Sequence, residues 1–405
     1  MLIKLAWRNL WRNKLRTSIM LGAMIFGLFG VVGIIGFISG LYGNMIHNAI
    51  AWQTSHIQVH NQAYIDDPDI KNTLVELASV EAAIEQLSQV KGWSARFIAD
   101  GMVASARSTR GVRINGVDID AEANVTPIAS SIQQGEWLDE QGRNPVLVSE
   151  KTASRLKLRV GSKVVLTFTD ASGDVSGAAF RVRGIFKTPS TSFDDSNVYV
   201  RRTDLTALAG IEGAHEIAIR FDNDDMAFVL ANPLQEQISS RNTVRDWKEI
   251  QPMLASIINQ QGTSNAIMLG IFVLAMGFGI VNIMLMSVFE RTREFGVLMA
   301  VGMQKHRIFT LILLETALLG ISGAVLGLIV SLLTITTLGH TGISLGVMAE
   351  GLGAFGVDTV LYPTVSANEY LMIFITVVVA STLAALYPAR QILKQHPAEA
   401  MADKH

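Results

Sequence analysis

Four long apolar runs constrain what this chain can fold into more than any other feature. A hydrocarbon core of about 30 Å takes roughly 20 helical residues to cross. Thr17–Gly43, Ala266–Phe289, Ile308–Leu338 and Tyr370–Tyr387 reach or approach that length and share a single charge, Glu315. The last run is the shortest and is expected to end at Pro388, which cannot continue a helical hydrogen-bond ladder. The first run is too long for the apolar core of a secretory signal and no A-x-A-like site follows it, so it is expected to be a retained anchor. The fold class is an α-helical membrane protein with four transmembrane helices and one large α+β extracytoplasmic domain.

Orientation follows from lysine and arginine, which are retained on the cytoplasmic side. Outside residues 43–265, every basic residue lies in 1–16, 290–307 or 388–405, three segments that four spans place on one face. The opposing loop, 339–369, has none and carries Glu350, Asp358 and Glu369. Both termini and the 290–307 loop are therefore expected in the cytoplasm, with the large domain on the opposite side of the membrane.

Composition narrows the function. With 49% hydrophobic and 17% charged residues the chain is unlike a purely soluble protein. The 33 basic and 35 acidic residues nearly cancel, giving no reason to expect nucleic acid as a partner. No cysteine is present, which excludes disulfides and thiol catalysis.

The stretch between the first two spans has globular composition. Ser55–Tyr64 alternates like a strand, Ser79–Val90 has helical periodicity, and Trp93–Asp120 reads as strands broken at Gly101, Gly111 and Gly116. Val146–Ser149, Lys163–Asp170, Ala179–Phe186 and Asn197–Val200 read as short strands, with a helix near Ser149–Leu158. Glu216–Phe221 resumes a strand, Met226–Ser240 a helix, and Thr243–Gln260 leads toward the second span. Two subdomains follow, a mixed α/β unit from 44–125 and 211–262, and a β-rich insert at 126–210.

Three stretches carry a mechanism. Glu290-Arg-Thr-Arg-Glu-Phe-Gly-Val-Leu-Met-Ala-Val-Gly302 begins with alternating charges at a membrane exit, then gives a short amphipathic helix and a helix-breaking glycine. Such a helix can rest in a groove of a partner and push both adjoining spans; the plain alternative is a solvated loop obeying the positive-inside rule. Residues 1–16 can lie along the membrane surface, Trp7 and Trp11 toward lipid and Lys4, Arg8, Arg12 and Lys14 toward headgroups. Gly33, Gly36, Gly40 and Gly43 form one stripe on the first span, readable as a dimer seam or as packing within the chain. Glu315 is a functional candidate because a carboxylate inside a span is costly; a snorkelling or locally hydrogen-bonded carboxyl is the favoured reading.

The 290–302 segment resembles the coupling-helix signature of the MacB/FtsX-type ABC permeases, approximately E-R-x-x-E-I-G-x-L-R-A-x-G. Glu290, Arg291, Glu294, Gly296, Leu298, Ala300 and Gly302 meet it, and Arg293 lies among them. Phe295 replaces the usual aliphatic residue, and Met299 stands where arginine is common, so one contact to the nucleotide-binding partner is expected to differ. Leu5–Thr17 is similar to the family's N-terminal helix, and Tyr387–Ala400 to its P-A-x-x-A…P-x-x-A tail, with Ile392 in place of alanine. The resemblance implies a porter-like subdomain carrying a β-rich, sabre-like one. It implies a permease that binds no cofactor itself and works with two copies of an ABC ATPase, which hold ATP and magnesium. It also implies a second permease chain, identical or a paralogue, and a periplasmic adaptor, carrier or lipoprotein. Lipoproteins, lipids, peptides and hydrophobic drugs are the implied cargoes. The alternative is an FtsX-like signal transducer that activates a cell-wall hydrolase without transport; the large two-part exported domain favours transport.

Catalytic and metal motifs are absent. No Gly-Lys pair occurs, so there is no G-x-x-x-x-G-K-[ST] phosphate loop, and no G-x-S-x-G or H-E-x-x-H either. His56 and His60 fall four apart in a stretch read as a strand, where they would not align on a metal, and are taken as solvated.

Overall fold

The computed structural model describes residues 2–87, 89–223 and 226–394. The chain divides into two units, one of Met1–Leu41, Asn259–Ile343 and Leu361–His405, the other of Tyr42–Ile258 and Ser344–Val360.

The first unit is helical. Among the described residues four helices are long and apolar enough to cross a membrane, Lys14–Thr54, Pro252–Glu290, Lys305–Thr341 and Ala367–Gln391. The first three run past the expected spans because hydropathy marks the lipid boundary, whereas a helix continues wherever its backbone remains bonded. Pro388 does not end a helix, contrary to expectation. Within the fourth stretch the helix Ala367–Ala384 is interrupted at Ala385, and Pro388 lies in the first turn of the next helix, Leu386–Lys394, where a missing N–H costs nothing. The fourth span starts at a capping box in which Ser366 and Glu369 satisfy each other's backbone N–H groups. The tail beyond Lys394, including Pro397 and Ala400, lies outside the described residues.

Helices in lipid gain little from the hydrophobic effect and cohere through close backbone approach at small residues. Here those residues are on the third span. A Cβ at Gly320 would fall 2.0 Å from Ser381 Oγ, and at Gly327 2.8 Å from Leu28 Cδ1, so fourth and first spans lie directly against it. The core between them holds Met24, Leu28, Val32, Ile280, Ile312, Leu319 and Val377. The first-span stripe is divided. Gly36 meets Ile335 and Val365, and Gly40 meets the backbone of Tyr362 and Pro363, so both are taken up by packing within this chain rather than left for a dimer seam. Gly33 and Gly43 have open space beside them.

The second unit is built on ten strands: β1 (Ile57–Asn61), β2 (Val90–Ala104), β3 (Thr109–Val117), β4 (Ile132–Gly135), β5 (Pro145–Ser149), β6 (Lys163–Thr169), β7 (Val175–Phe186), β8 (Asn197–Arg201), β9 (Glu216–Phe221) and β10 (Asn242–Asp246). An antiparallel sheet runs β10-β1-β9-β2. From Phe97 onward β2 leaves it and pairs with β3 and then β6. Through β3·β8, β8·β5, β5·β7 and β7·β6 the pairing returns to β2, closing a six-stranded barrel without free edges. Inward residues fill it, among them Phe97, Ile114, Val146, Leu166, Phe180 and Val198.

The strand pairing moves the expected boundary of the insert. Pairing to the barrel begins inside β2 near Phe97 and includes β3, whereas the helix Ile119–Val125 returns to the open sheet. Strands β2 and β3 also run unbroken through Gly101, Gly111 and Gly116, and the chain turns at 105–108 instead. Strand β10 and the helices Thr191–Ser196 and Arg202–Ala209 have no counterpart in the sequence reading. His56 and His60 are buried, not solvated: His56 Nδ1 accepts from Phe221 N at 3.1 Å, and His60 lies 2.9 Å from Gln58 Oε1.

At the point where β2 passes from sheet to barrel, Arg96 is enclosed by two carboxylates. Its Nε and Nη2 donate to Glu122 at 2.9 and 2.8 Å, and its Nη1 to Glu216 at 2.6 Å, all three side chains being buried. The loop between the third and fourth spans folds onto the same unit, where Asn44 Nδ2 donates to Asp358 at 2.7 Å and Asn48 Nδ2 to the Gly356 carbonyl at 2.7 Å. Replacing Arg96 with Met strands two buried carboxylates and is expected to destabilise this unit by about 3–5 kcal/mol. Thermal unfolding of the detergent-solubilised chain should show a midpoint several degrees lower; an unchanged midpoint would show that the cluster holds nothing together.

Candidate docking site on the linking helix

The second span ends at Glu290, and at Arg291 the backbone leaves helical geometry (φ −102°, ψ 9°) before a nine-residue helix, Thr292–Ala300. Gly302 stops that helix. Its φ of +97° is open to glycine at little cost, and its N–H donates to Met299 O while that of Met303 reaches Leu298 O, a Schellman arrangement. The third-span helix then starts at Lys305.

The helix has two faces. Phe295 and Gly296 are buried, and Leu298 and Met299 pack with Met303 against the core of the spans. Met299 is thus partly buried against the spans. On the other side Arg293, Val297, Ala300 and Val301 are exposed, Val297 at 50% and Val301 at 83%. They follow one another at helical spacing and form a small apolar ridge beside a positive charge.

The acidic signature residues bind this chain's own basic side chains. Arg12 Nη2 donates to Glu294 Oε1 at 2.6 Å and Arg16 Nη1 to Glu290 Oε2 at 3.0 Å. Arg291 Nε donates to Glu294 Oε2 at 3.2 Å, and its Nη1 lies 3.1 and 3.0 Å from the two oxygens of Glu315. Its guanidinium sits 5.1 Å from the centre of the Phe295 ring. Glu315 is therefore neither snorkelling nor merely locally bonded; it is buried against a buried arginine. Partial burial works against the charge of Glu294, but hydrogen bonds from Arg12 and Arg291 outweigh it and hold the carboxyl below its ordinary range. The Glu294 contacts consequently contribute at neutral pH and are lost only as acid protonates that carboxyl, below the usual carboxylate range.

Sequence reasoning picked out Glu290, Arg291, Glu294 and Gly302, and the structure gathers them at one place. It missed Arg12 and Arg16 as their partners, although basic residues at one membrane exit facing acidic ones at another were visible. It also missed Val297 and Val301, because exposed valines carry no motif. Among the described residues no group of three or more His, Asp or Glu is placed to hold a metal. A cavity of about 720 Å³ in the α/β unit is walled by Arg96, Glu216, Arg113 and Asn197, with the Arg96 and Glu216 charges satisfied by each other. Single cysteines in this cysteine-free chain test the two faces of the linking helix: Val297→Cys and Val301→Cys should react with a water-soluble maleimide at least tenfold faster than Phe295→Cys in the solubilised chain. Equal rates would remove the ridge.

Comparison with known proteins places this geometry in a family. A profile described as "MacB-like periplasmic core domain" matches residues 17–235, and one described as "FtsX-like permease C-terminal" matches 266–397. The chain is 24% identical to a macrolide export ATP-binding/permease protein MacB of Hyphomonas neptunium, over 99% of this chain and 60% of that protein. It is 21% identical to a lipoprotein-releasing system transmembrane protein LolC of Xylella fastidiosa, over 71% of this chain and 72% of the other. With an uncharacterized ABC transporter permease, YvrN, of Bacillus subtilis it shares 24% over 81% of this chain and 85% of that one. The crystal structure of the periplasmic region of MacB from Actinobacillus actinomycetemcomitans aligns at a TM-score of 0.36 and 12% identity, over 52% of this chain and 97% of that chain. The first profile alone covers more than half of the sequence, and the chain belongs to the MacB/FtsX family of ABC transporter permeases.

Proposed function

We propose that this chain is the permease subunit of an ABC complex in which a separate ATPase, present in two copies with its ATP and magnesium, docks on the linking helix. Both termini and the linking helix lie in the cytoplasm, and the α/β unit is periplasmic. The observation that carries the reading is the division of labour on Thr292–Ala300. Its signature carboxylates are engaged by Arg12, Arg16 and Arg291, and its outer face leaves Val297, Ala300 and Val301 unpartnered within the chain. A small apolar ridge flanked by Arg293 suits a groove with an acidic rim, since the buried centre of an interface is its more apolar part and the rim is polar.

Closure of the ATPases would then move the linking helix and the spans beside it, and through them the periplasmic unit, for export or extraction of a lipoprotein, lipid, peptide or hydrophobic drug. A second permease chain would complete the complex. Of the four described spans the second is the least covered by the rest of this chain, which leaves it the most room for that neighbour.

The test is a nanodisc pull-down of the tagged chain. The unaltered chain is expected to retain an ABC ATPase in roughly equal amount, and Val297→Asp with Val301→Asp to reduce retention at least tenfold while membrane insertion persists. Retention unaffected by the double substitution would overturn the assignment of the docking face.

A further inference from the structure

The linking helix is short and is tied to its neighbours by chain only at its ends, through Arg291 and through Gly302–Gln304. Sideways it is held by the packing of Phe295, Leu298 and Met299 on the core of the spans, which is non-directional, and by Arg291. That side chain is buried and reaches 24 residues along the sequence to Glu315, in the third turn of the third span, with Nη1 at 3.1 and 3.0 Å from the two carboxylate oxygens. The Arg12 and Arg16 contacts to Glu294 and Glu290 involve carboxylates about half exposed and are open to exchange with water.

Stability does not account for the buried pair. A carboxylate in a span is expensive, and apolar residues of similar volume serve a fold at least as well as a buried ion pair. What the pair supplies is placement: one buried guanidinium holds Glu294 of the linking helix through Nε and both oxygens of Glu315 on the third span through Nη1, which sets the spacing between the two elements. Removing Arg291 leaves Glu315 buried and unpaired, and removing Glu315 leaves Arg291 only its bond to Glu294, so the pair favours one relative placement of the two elements.

We propose that Arg291 and Glu315 are positioning residues that lock the linking helix to the third span. A push on the exposed ridge is then delivered to the third span as well as to the second, which the helix follows in the chain. The proposal rests on the coupling reading given above for its purpose, though not for its geometry.

Two measurements on the full chain test it. In nanodiscs with the retained ATPase, ATP turnover per ATPase in excess of that of the ATPase alone should fall at least fivefold in Arg291→Gln and in Glu315→Gln. It should recover by half or more in the exchanged pair Arg291→Glu with Glu315→Arg. Expressing turnover per retained ATPase separates coupling from poor folding, which lowers the amount and not the ratio. Spin labels at Val301→Cys and Leu333→Cys, both exposed in the native chain, should give a narrow distance distribution that broadens in each single variant and narrows in the exchange. Unchanged turnover and unchanged distance widths in the single variants would overturn the lock, as would an exchanged pair no better than either single. If the unaltered chain retains no ATPase, the docking reading falls instead, and the spin-label widths alone decide whether the lock exists.

Discussion

The membrane unit depends on how closely backbones approach along the third span. Lipid supplies no water to bond a stray amide, so the spans must be helices, and helices in lipid are held by packing more than by hydrophobicity. Gly320 and Gly327 remove the side chains that would keep the fourth and first spans away, and Ser381 and Leu28 occupy the space. Everything at the linking helix is built on that bundle: Phe295, Leu298 and Met299 can be buried only because a packed core stands beneath them.

The α/β unit answers a different problem. A sheet ending in free edges invites pairing with other chains, and here the long strand β2 is shared, its first half in an antiparallel sheet and its second in a closed barrel. Arg96 stands at the change of partner. The same residue that joins two β structures is thereby fixed by charge, with Glu122 on a helix and Glu216 on β9. Apolar side chains of similar volume often serve stability as well as a buried ion cluster does, so stability alone does not explain charges placed at this junction.

Much of this was legible in the residues. The number and order of the spans follow from hydropathy, though their helices run well past the apolar runs, and the linking helix with its glycine stop and the strands β5, β6, β8 and β9 follow from periodicity and turn residues within a few positions. What was not legible is what depends on distant partners. The barrel was hidden because β3 reads the same whether it pairs within a sheet or closes a ring, and Gly101, Gly111 and Gly116 look like breaks until their neighbours are known. The first-span glycines advertised a seam, whereas Gly36 and Gly40 are filled by Ile335, Val365 and Tyr362 from the same chain. His56 and His60 read as solvated because polarity was visible and burial was not. At the linking helix, the pairing of Arg291 with Glu315 joins two residues each noted on its own; nothing in either segment shows that they meet.

If the outer ridge of the linking helix is a docking face for an ATP-hydrolysing partner, a photo-crosslinking residue placed at Val301 in native membranes should give an adduct with an ABC ATPase that disappears when the probe is moved to Phe295. An adduct only with lipid or with a second copy of the chain, or the same adduct from both positions, would rule the docking face out.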